Sequence, residues 1–145
     1  MVFKEKPYEK IHQRPLTPEL KNQVYEAFRK HAIHCTGICG LAQEPISFEM
    51  RDGANLVGCI VVQPFWGQIH IKYLLVEEPY RGQGIARRLM EHAFEFGKAQ
   101  GCRFAFVETM NFQAPEFYQK LGFKIDFVRH GYDRGTSFYY LKRDL

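Results

Sequence analysis

Residues 81–86 read Arg-Gly-Gln-Gly-Ile-Ala, and their types and spacing point to the binding of an anion. Gly82 and Gly84 let a ligand approach the main chain closely. An apolar segment with helical spacing follows, and a helix start offers unpaired N–H groups and the positive end of its dipole. The turn therefore reads as a phosphate site; the alternative is a strand-to-helix turn that holds nothing. Two familiar phosphate loops are excluded. A Rossmann turn needs a third glycine at position 87, where Arg87 stands, and a Walker A loop needs a closing Lys-Ser/Thr, which is missing. What remains is Arg-x-x-Gly-x-Ala.

The surrounding elements must position this turn. Ile46, Phe48 and Met50 alternate with Ser47, Glu49 and Arg51, which predicts a strand with one buried face. LVGCIVVQ returns as a second strand after the Asp52–Asn55 turn. A turn over Pro64–Gln68 leads into IHIKYLLVE, a third strand of the meander. Behind the glycine turn, Ile85, Ala86, Leu89, Met90, Ala93, Phe94 and Gly97 fall on one helical stripe. CRFAFVET reads as a central strand, then a short helix spans about Ala114 to Leu121. FKIDFVRH and TSFYYLKRD close the chain as strands. Upstream, residues 8–14 are predicted as a first strand, and Thr17-Pro18-Glu19 opens a helix running to about His34. The order is β, α, β, β, β, α, β, α, β, β: one mixed α/β domain over residues 1–145, with helices on the faces of a central sheet.

Composition narrows the function classes. A net charge of +4 over 145 residues suits a small anionic ligand but is too weak and scattered for nucleic acid. The first residues carry no apolar leader and no window is apolar enough to cross a membrane, so a cytoplasmic protein with reduced thiols is expected. Cys35 and Cys39 have the wrong spacing for a zinc knuckle, and no metal is expected.

Two segments in order carry a family resemblance. LLVEEPYRGQGIARRLM, then NFQAPEFYQKLGF with Asn111 seven residues ahead of Tyr118, resemble the GCN5-related N-acetyltransferase (GNAT) superfamily. The second segment is also similar to a small bacterial subgroup with an FQAPxFYxKxGF-like signature. The resemblance covers residues 46–145 well and the first 45 loosely. It implies a mostly antiparallel sheet of six or seven strands, with the fourth (IHIKYLLVE) and fifth (CRFAFVET) splayed apart. It implies acetyl-CoA as cosubstrate and an amine as acceptor. The pyrophosphate would rest on Arg81, Gly82, Gln83, Gly84, Ile85 and Ala86. The pantetheine arm would lie along Leu74, Leu75 and Val76 like an added strand. Arg87 and Arg88 are further candidates for phosphate, and Asn111 for the cosubstrate arm or the helix start.

Acetyl transfer needs a deprotonated amine, a stabilised thioester oxygen and a protonated leaving thiolate. Tyr118 occupies the family's tyrosine position and is the candidate acid. A backbone N–H at Leu75 or Val76 is the candidate oxyanion donor. His70 stands where the histone acetyltransferase branch carries its glutamate base, and Glu108 ends the fifth strand beside the same opening; a water relay is the third option. The usual second helix is replaced by a short loop, CTGICGLAQEP, which predicts an open acceptor pocket. Its candidate residues are His31, His34, Trp66, Tyr73 and the His130-Gly131-Tyr132 loop. The fold allows a homodimer, for which the Phe/Tyr-rich last strand is a candidate surface. The alternative to an enzyme is a CoA-binding module or sensor without turnover.

Overall fold

The computed structural model describes residues 4–38 and 43–145. The backbone groups into two compact units, Met1–Gly40 and Leu41–Leu145. In the first, helix α1 spans Pro18–Thr36. Its start is written in the sequence: Thr17 accepts the Leu20 N–H through its hydroxyl, and Pro18 sits where no amide partner is needed. Gly37, at φ +78°, closes the helix by donating to Ile33. The strand expected over residues 8–14 is not there. Pro7–Glu9 forms a single 3-10 turn and the following residues adopt no regular element. A strand needs ladder partners. This one is flanked by Pro7 and Pro15, and its apolar Tyr8 and Ile11 are exposed rather than packed. Cys39, in the loop that follows, lies outside the described residues.

The second unit is a six-stranded sheet with the order β1-β2-β3-β4-β6-β5. The strands are β1 Ile46–Asp52, β2 Asn55–Phe65, β3 Gln68–Val76, β4 Phe104–Met110, β5 Lys124–Arg129 and β6 Phe138–Asp144. Only the β3–β4 pair is parallel. The β2–β3 turn is tighter than Pro64–Gln68: Phe65 pairs with Gln68 around Trp66-Gly67, both at positive φ. Two such residues give the turn the twist a two-residue hairpin requires. Pro64 can stay in β2 because β1 begins opposite Val62. Its carbonyl, accepting from Gln43, points to the side where β1 has ended, so its missing N–H disrupts no ladder.

Helix α2, Ile85–Ala99, covers one face of the sheet with its predicted stripe; Ile85, Leu89, Met90, Ala93, Phe94 and Gly97 are buried. Beneath it lie Ile60, Val62, Ile69, Ile71, Ala105 and Val107. Two glycines set how closely the helix docks. A Cβ on Gly58 of β2 would stand 2.8 Å from the Leu75 carbonyl oxygen and 3.3 Å from Ile85. One on Gly97 would meet Ile69 at 2.9 Å and Leu145 at 3.1 Å. Gly58 thus fixes the start of α2, and Gly97 its end. Helix α3, Pro115–Lys120, is short and is followed by Gly122 at φ +89°.

The β3–β4 ladder is brief. It pairs Gln68 with Phe104 through Ile71 with Val107 and then stops. At the same point β3 carries an extra residue: Val62 pairs with Ile71 and Val61 with Tyr73, leaving Lys72 as a bulge. A bulge bends and twists its strand. Beyond it, β3 keeps β2 as its neighbour and leaves β4, which is the expected splay. Gly58→Ala is expected to destabilise the protein by about 1–3 kcal/mol, because the new methyl meets a main-chain oxygen. Gly97→Ala should cost less, since side chains can yield; urea unfolding of both variants checks the order.

Candidate active site

The splay opens a groove of about 510 Å³. Leu74, Leu75 and Val76 form one wall, and Ala114, Phe117 and Tyr118 of the β4–α3 region form the other. Its outer end is closed by Tyr80, Arg81, Gly82, Gly84, Ile85 and Ala86. The alternation of β3 decides which amides face the opening. Glu77 donates to Val57 of β2, so the amides of Val76 and Leu74 point away from β2, into the gap, while that of Leu75 points toward β2. Of the two candidate oxyanion donors, the geometry therefore favours Val76.

The glycine turn is shaped for an anion. Gly82 and Gly84 have φ of +78° and +76°, and a Cβ on either would touch nothing within 4 Å. The glycines serve conformation, then, and leave open space above the turn. Gly84 is the N-cap of α2 and offers no side-chain cap. The amides of residues 82–87 find no acceptor among the described residues, and the first N–H retained inside the helix is Arg88 to Gly84. The first turn of α2 holds no acidic residue, and Arg87 and Arg88 stand there instead. Cations at a helix N-terminus oppose the dipole unless an anion joins them. Arg81 does not project into the turn: its Nε donates to the Val76 carbonyl at 3.0 Å, tying the loop to the end of β3.

Tyr118 is half-buried, with Phe117 and Phe123 ring centres 5.2 and 5.7 Å away. Its hydroxyl has no partner among the described residues, and burial pushes its phenol above the ordinary value. At neutral pH it is a protonated donor facing the groove.

His70 and Glu108 come together. His70 pairs across the ladder with Phe106, so Glu108, two residues on, is its diagonal neighbour on the same face. His70 Nε2 lies 3.2 Å from Glu108 Oε1. The contact is an ion-pair approach, and this buried nitrogen has no hydrogen-bond partner among the described residues. Burial holds the imidazole below its ordinary pKa; the Glu108 carboxylate opposes that, and the Lys72 ammonium reinforces it. The ring is thus neutral at pH 7. Phe106 lies 5.0 Å from it, and Tyr140 stacks on Phe106 at 6.2 Å.

Other candidates are placed elsewhere. Asn111 is joined to Ser137 in both directions, its amide donating to the Ser137 carbonyl and its Oδ1 accepting the Ser137 amide, and it does not line the groove. Gln83 sits between the two glycines but is not a lining residue. His31 and His34 belong to α1 in the other unit, Trp66 to the hairpin tip, and Tyr73 is exposed just past the bulge. Tyr132 packs on Phe138 at 5.6 Å. Sequence reasoning missed Tyr80 and Ala114, whose only signal is adjacency to the turn and to the α3 start. It also missed Gln113, whose Oε1 accepts the Met110 amide at 2.8 Å and pins the turn into α3. Among the described residues, no group of His, Cys, Asp or Glu could hold a metal ion, and no helix is long and apolar enough to cross a membrane.

A model of the Acetyltransferase (GNAT) family matches residues 7–123. Blasticidin-S acetyltransferase of Streptomyces morookaense is 33% identical over 126 residues, which cover 86% of this chain and 84% of that protein. The crystal structure of a candidate acetyltransferase from Agrobacterium tumefaciens superposes with a TM-score of 0.81 at 23% identity, over 94% of this chain and 99% of that one. A candidate streptothricin acetyltransferase from Bacillus anthracis str. Ames, solved in complex with acetyl coenzyme A, gives 0.64 at 22% identity, over 71% of this chain and 64% of that one. At such identities the two structures establish the fold, while the family match spans well over half of the chain. The chain belongs to the GNAT family of acetyltransferases.

Proposed function

We propose that residues 1–145 act as one acetyltransferase domain that moves the acetyl group of acetyl-CoA directly to a primary amine. The observation that carries this reading is the groove itself, where the unpaired edge of β3, the Tyr118 hydroxyl and the anion-ready turn follow one another along a single cleft. Its apolar walls suit the pantetheine arm, with the Leu74 and Val76 amides as strand-like partners. Residues 82–86 would hold the pyrophosphate. Asn111, bound to Ser137, then holds the backbone between β4 and β6 rather than the cosubstrate.

The chemistry is divided among the chain's own groups. The incoming ammonium gives a proton to His70, which is neutral and has an unused Nε2, with Glu108 stabilising the imidazolium that forms. The nitrogen lone pair attacks the thioester carbon, and the Val76 amide stabilises the oxygen that gains charge. The C–N bond forms, the C–S bond breaks, Tyr118 donates its proton to the departing thiolate, and the second proton shed by the acetylated nitrogen restores the Tyr118 phenol. Phe106 and Tyr140 line the acceptor's approach. A cytoplasmic location, no nucleic-acid partner and a homodimer complete the reading. β6 lies inside the sheet, between β4 and β5, so self-association would use its aromatic face and not its edge. A module without turnover is disfavoured by the family and by an acid and a base meeting at one opening.

Release of CoA thiol with a panel of polyamines, amino acids, aminoglycosides, blasticidin-S and peptides is the direct test. Tyr118→Phe should lower kcat about 100-fold with little change in the KM for acetyl-CoA. A wild-type rate in that variant would remove the acid role. The pH profile reports the base. His70 works when neutral, so the rate should fall on the acid side, with its midpoint below the ordinary histidine value because burial lowers the pKa. Glu108→Gln removes the charge that raises this pKa, so the acid limb should move to still lower pH while activity persists. His70→Gln should abolish the limb; an unchanged profile would assign proton removal to water.

A further inference from the structure

His70 stands at one end of a row of rings. The face of the sheet turned away from α2 carries His70 on β3, Phe106 on β4, Phe138 and Tyr140 on β6 and Phe127 on β5, brought side by side by the ladders. His70 and Phe106 have ring centres 5.0 Å apart; Phe106 and Tyr140 lie 6.2 Å apart and within 18° of parallel. From Tyr140 the row branches to Phe127 at 6.0 Å and to Phe138 at 5.6 Å. Three strand spacings separate His70 from Phe127, so this floor is about 14 Å long. Its flanking rings already hold cations: Arg129 lies over Phe127 at 5.5 Å, and Lys142 over the neighbouring Phe104 at 4.7 Å. Phe106 and Tyr140, in the middle, hold none among the described residues.

The charges beside the floor decide what can lie on it. Lys124 and Lys142 are balanced by Asp126 and Asp144 at the strand ends. Arg129 remains at the outer side. Lys72 remains at the inner side, where it donates to Gln63 and its charge acts on His70. Against these two stands Glu108, and its carboxylate is turned to His70 at 3.2 Å. A second ammonium on the acceptor would meet cations at either end of the floor, and His70 becomes another once it has taken the proton. A neutral ring meets no such repulsion, and it finds ring partners in Phe106 and Tyr140. We infer that the acceptor is a primary amine that carries a flat aromatic ring and no second positive charge, the ring resting on Phe106 and Tyr140 and the nitrogen reaching His70. The 5.0 Å step from His70 to Phe106 leaves room for about two carbons between ring and nitrogen. The inference rests on the acetyl-transfer reading above and names its acceptor class.

The test is CoA release at saturating acetyl-CoA with a matched pair, 2-phenylethylamine and 2-cyclohexylethylamine, and with the diamine 1,5-diaminopentane. The pair shares one linker and nearly one size, and the saturated ring is the more apolar, so plain burial would favour it. kcat/KM should be about fivefold higher for the aromatic amine, the scale of a ring–ring contact. It should be lower for the diamine, and higher salt should narrow that deficit. Tyr140→Leu should bring the matched pair to within about twofold of each other. Both amines are measured on one variant, so any loss of folded protein cancels. An equal or reversed preference in the wild-type protein overturns the inference and leaves acetyl transfer standing, as does a diamine that is the better acceptor. So does a Tyr140→Leu variant that keeps the ring preference, or one that keeps it and alters the sedimentation of the free protein, since the face would then belong to a second copy of the chain. No release with any amine overturns the acetyl-transfer reading as well.

Discussion

The parallel ladder between β3 and β4 stops after Ile71 and Val107, and the rest of the site follows from that stop. Two adjacent strands that separate leave main-chain donors and acceptors without partners in the middle of a sheet, which a folded protein rarely tolerates. Here the Lys72 bulge bends β3 away from β4. The Arg81 side chain then takes the Val76 carbonyl at the outlet. The amides of Val76 and Leu74 remain for a ligand. The splay is tolerated because β3 keeps its ladder with β2 on both sides of the bulge, and because α2 and its buried stripe hold the sheet from one side.

The candidate anion site depends on the same docking. Gly58 lets the first residue of α2 sit directly on β2, so the helix start and the β3 outlet are fixed relative to one another through a short path of backbone. The turn between them lacks every usual device for a helix start: no side-chain cap and no acidic residue, with arginines in the first turn. Each omission weakens the isolated helix, and each is one that a bound phosphate would compensate. Local rules broken together at one place mark a binding site more firmly than any one of them.

Much of this was legible in the sequence. The stripe of α2, the meander and the Arg-x-x-Gly-x-Ala turn are local patterns, and the structure repeats them nearly residue for residue. The Thr17-Pro18 helix start is another. What could not be read locally was non-local. Whether residues 8–14 form a strand depends on a partner that no local pattern reveals. Asn111 is legible as a polar residue ahead of α3, but its bonds are to Ser137, 26 positions away. The pairing of His70 with Glu108 depends on the β3–β4 register, which becomes fixed only once α2 has carried the chain back to lay a parallel strand. The orientation of the Val76 and Leu75 amides depends on a one-residue bulge, and nothing in IHIKYLLV announces it.

The arrangement would also divide the proposed reaction between two faces. Ile69 and Ile71 are buried beneath α2, so His70, between them, must lie on the opposite face of the sheet. Tyr118 packs against Phe123, and Phe123 against Phe94 of α2, which places the phenol on the helix-covered side. Tyr118 and His70, the proposed acid and base, therefore stand on opposite sides of one sheet, with the splay between them. A donor occupying the groove beside Tyr118 and an acceptor arriving beside His70 can meet at that gap and nowhere else. Such a geometry suits the proposed direct transfer, in which the thioester carbon would lie in the gap between the strands, with the amine on one side of it and the leaving sulfur on the other. It also separates two kinds of specificity. On the proposed reading the turn, α2 and α3 would recognise the donor, whereas the aromatic face of β4 and β6 would meet the acceptor, so the acceptor could change without disturbing the groove.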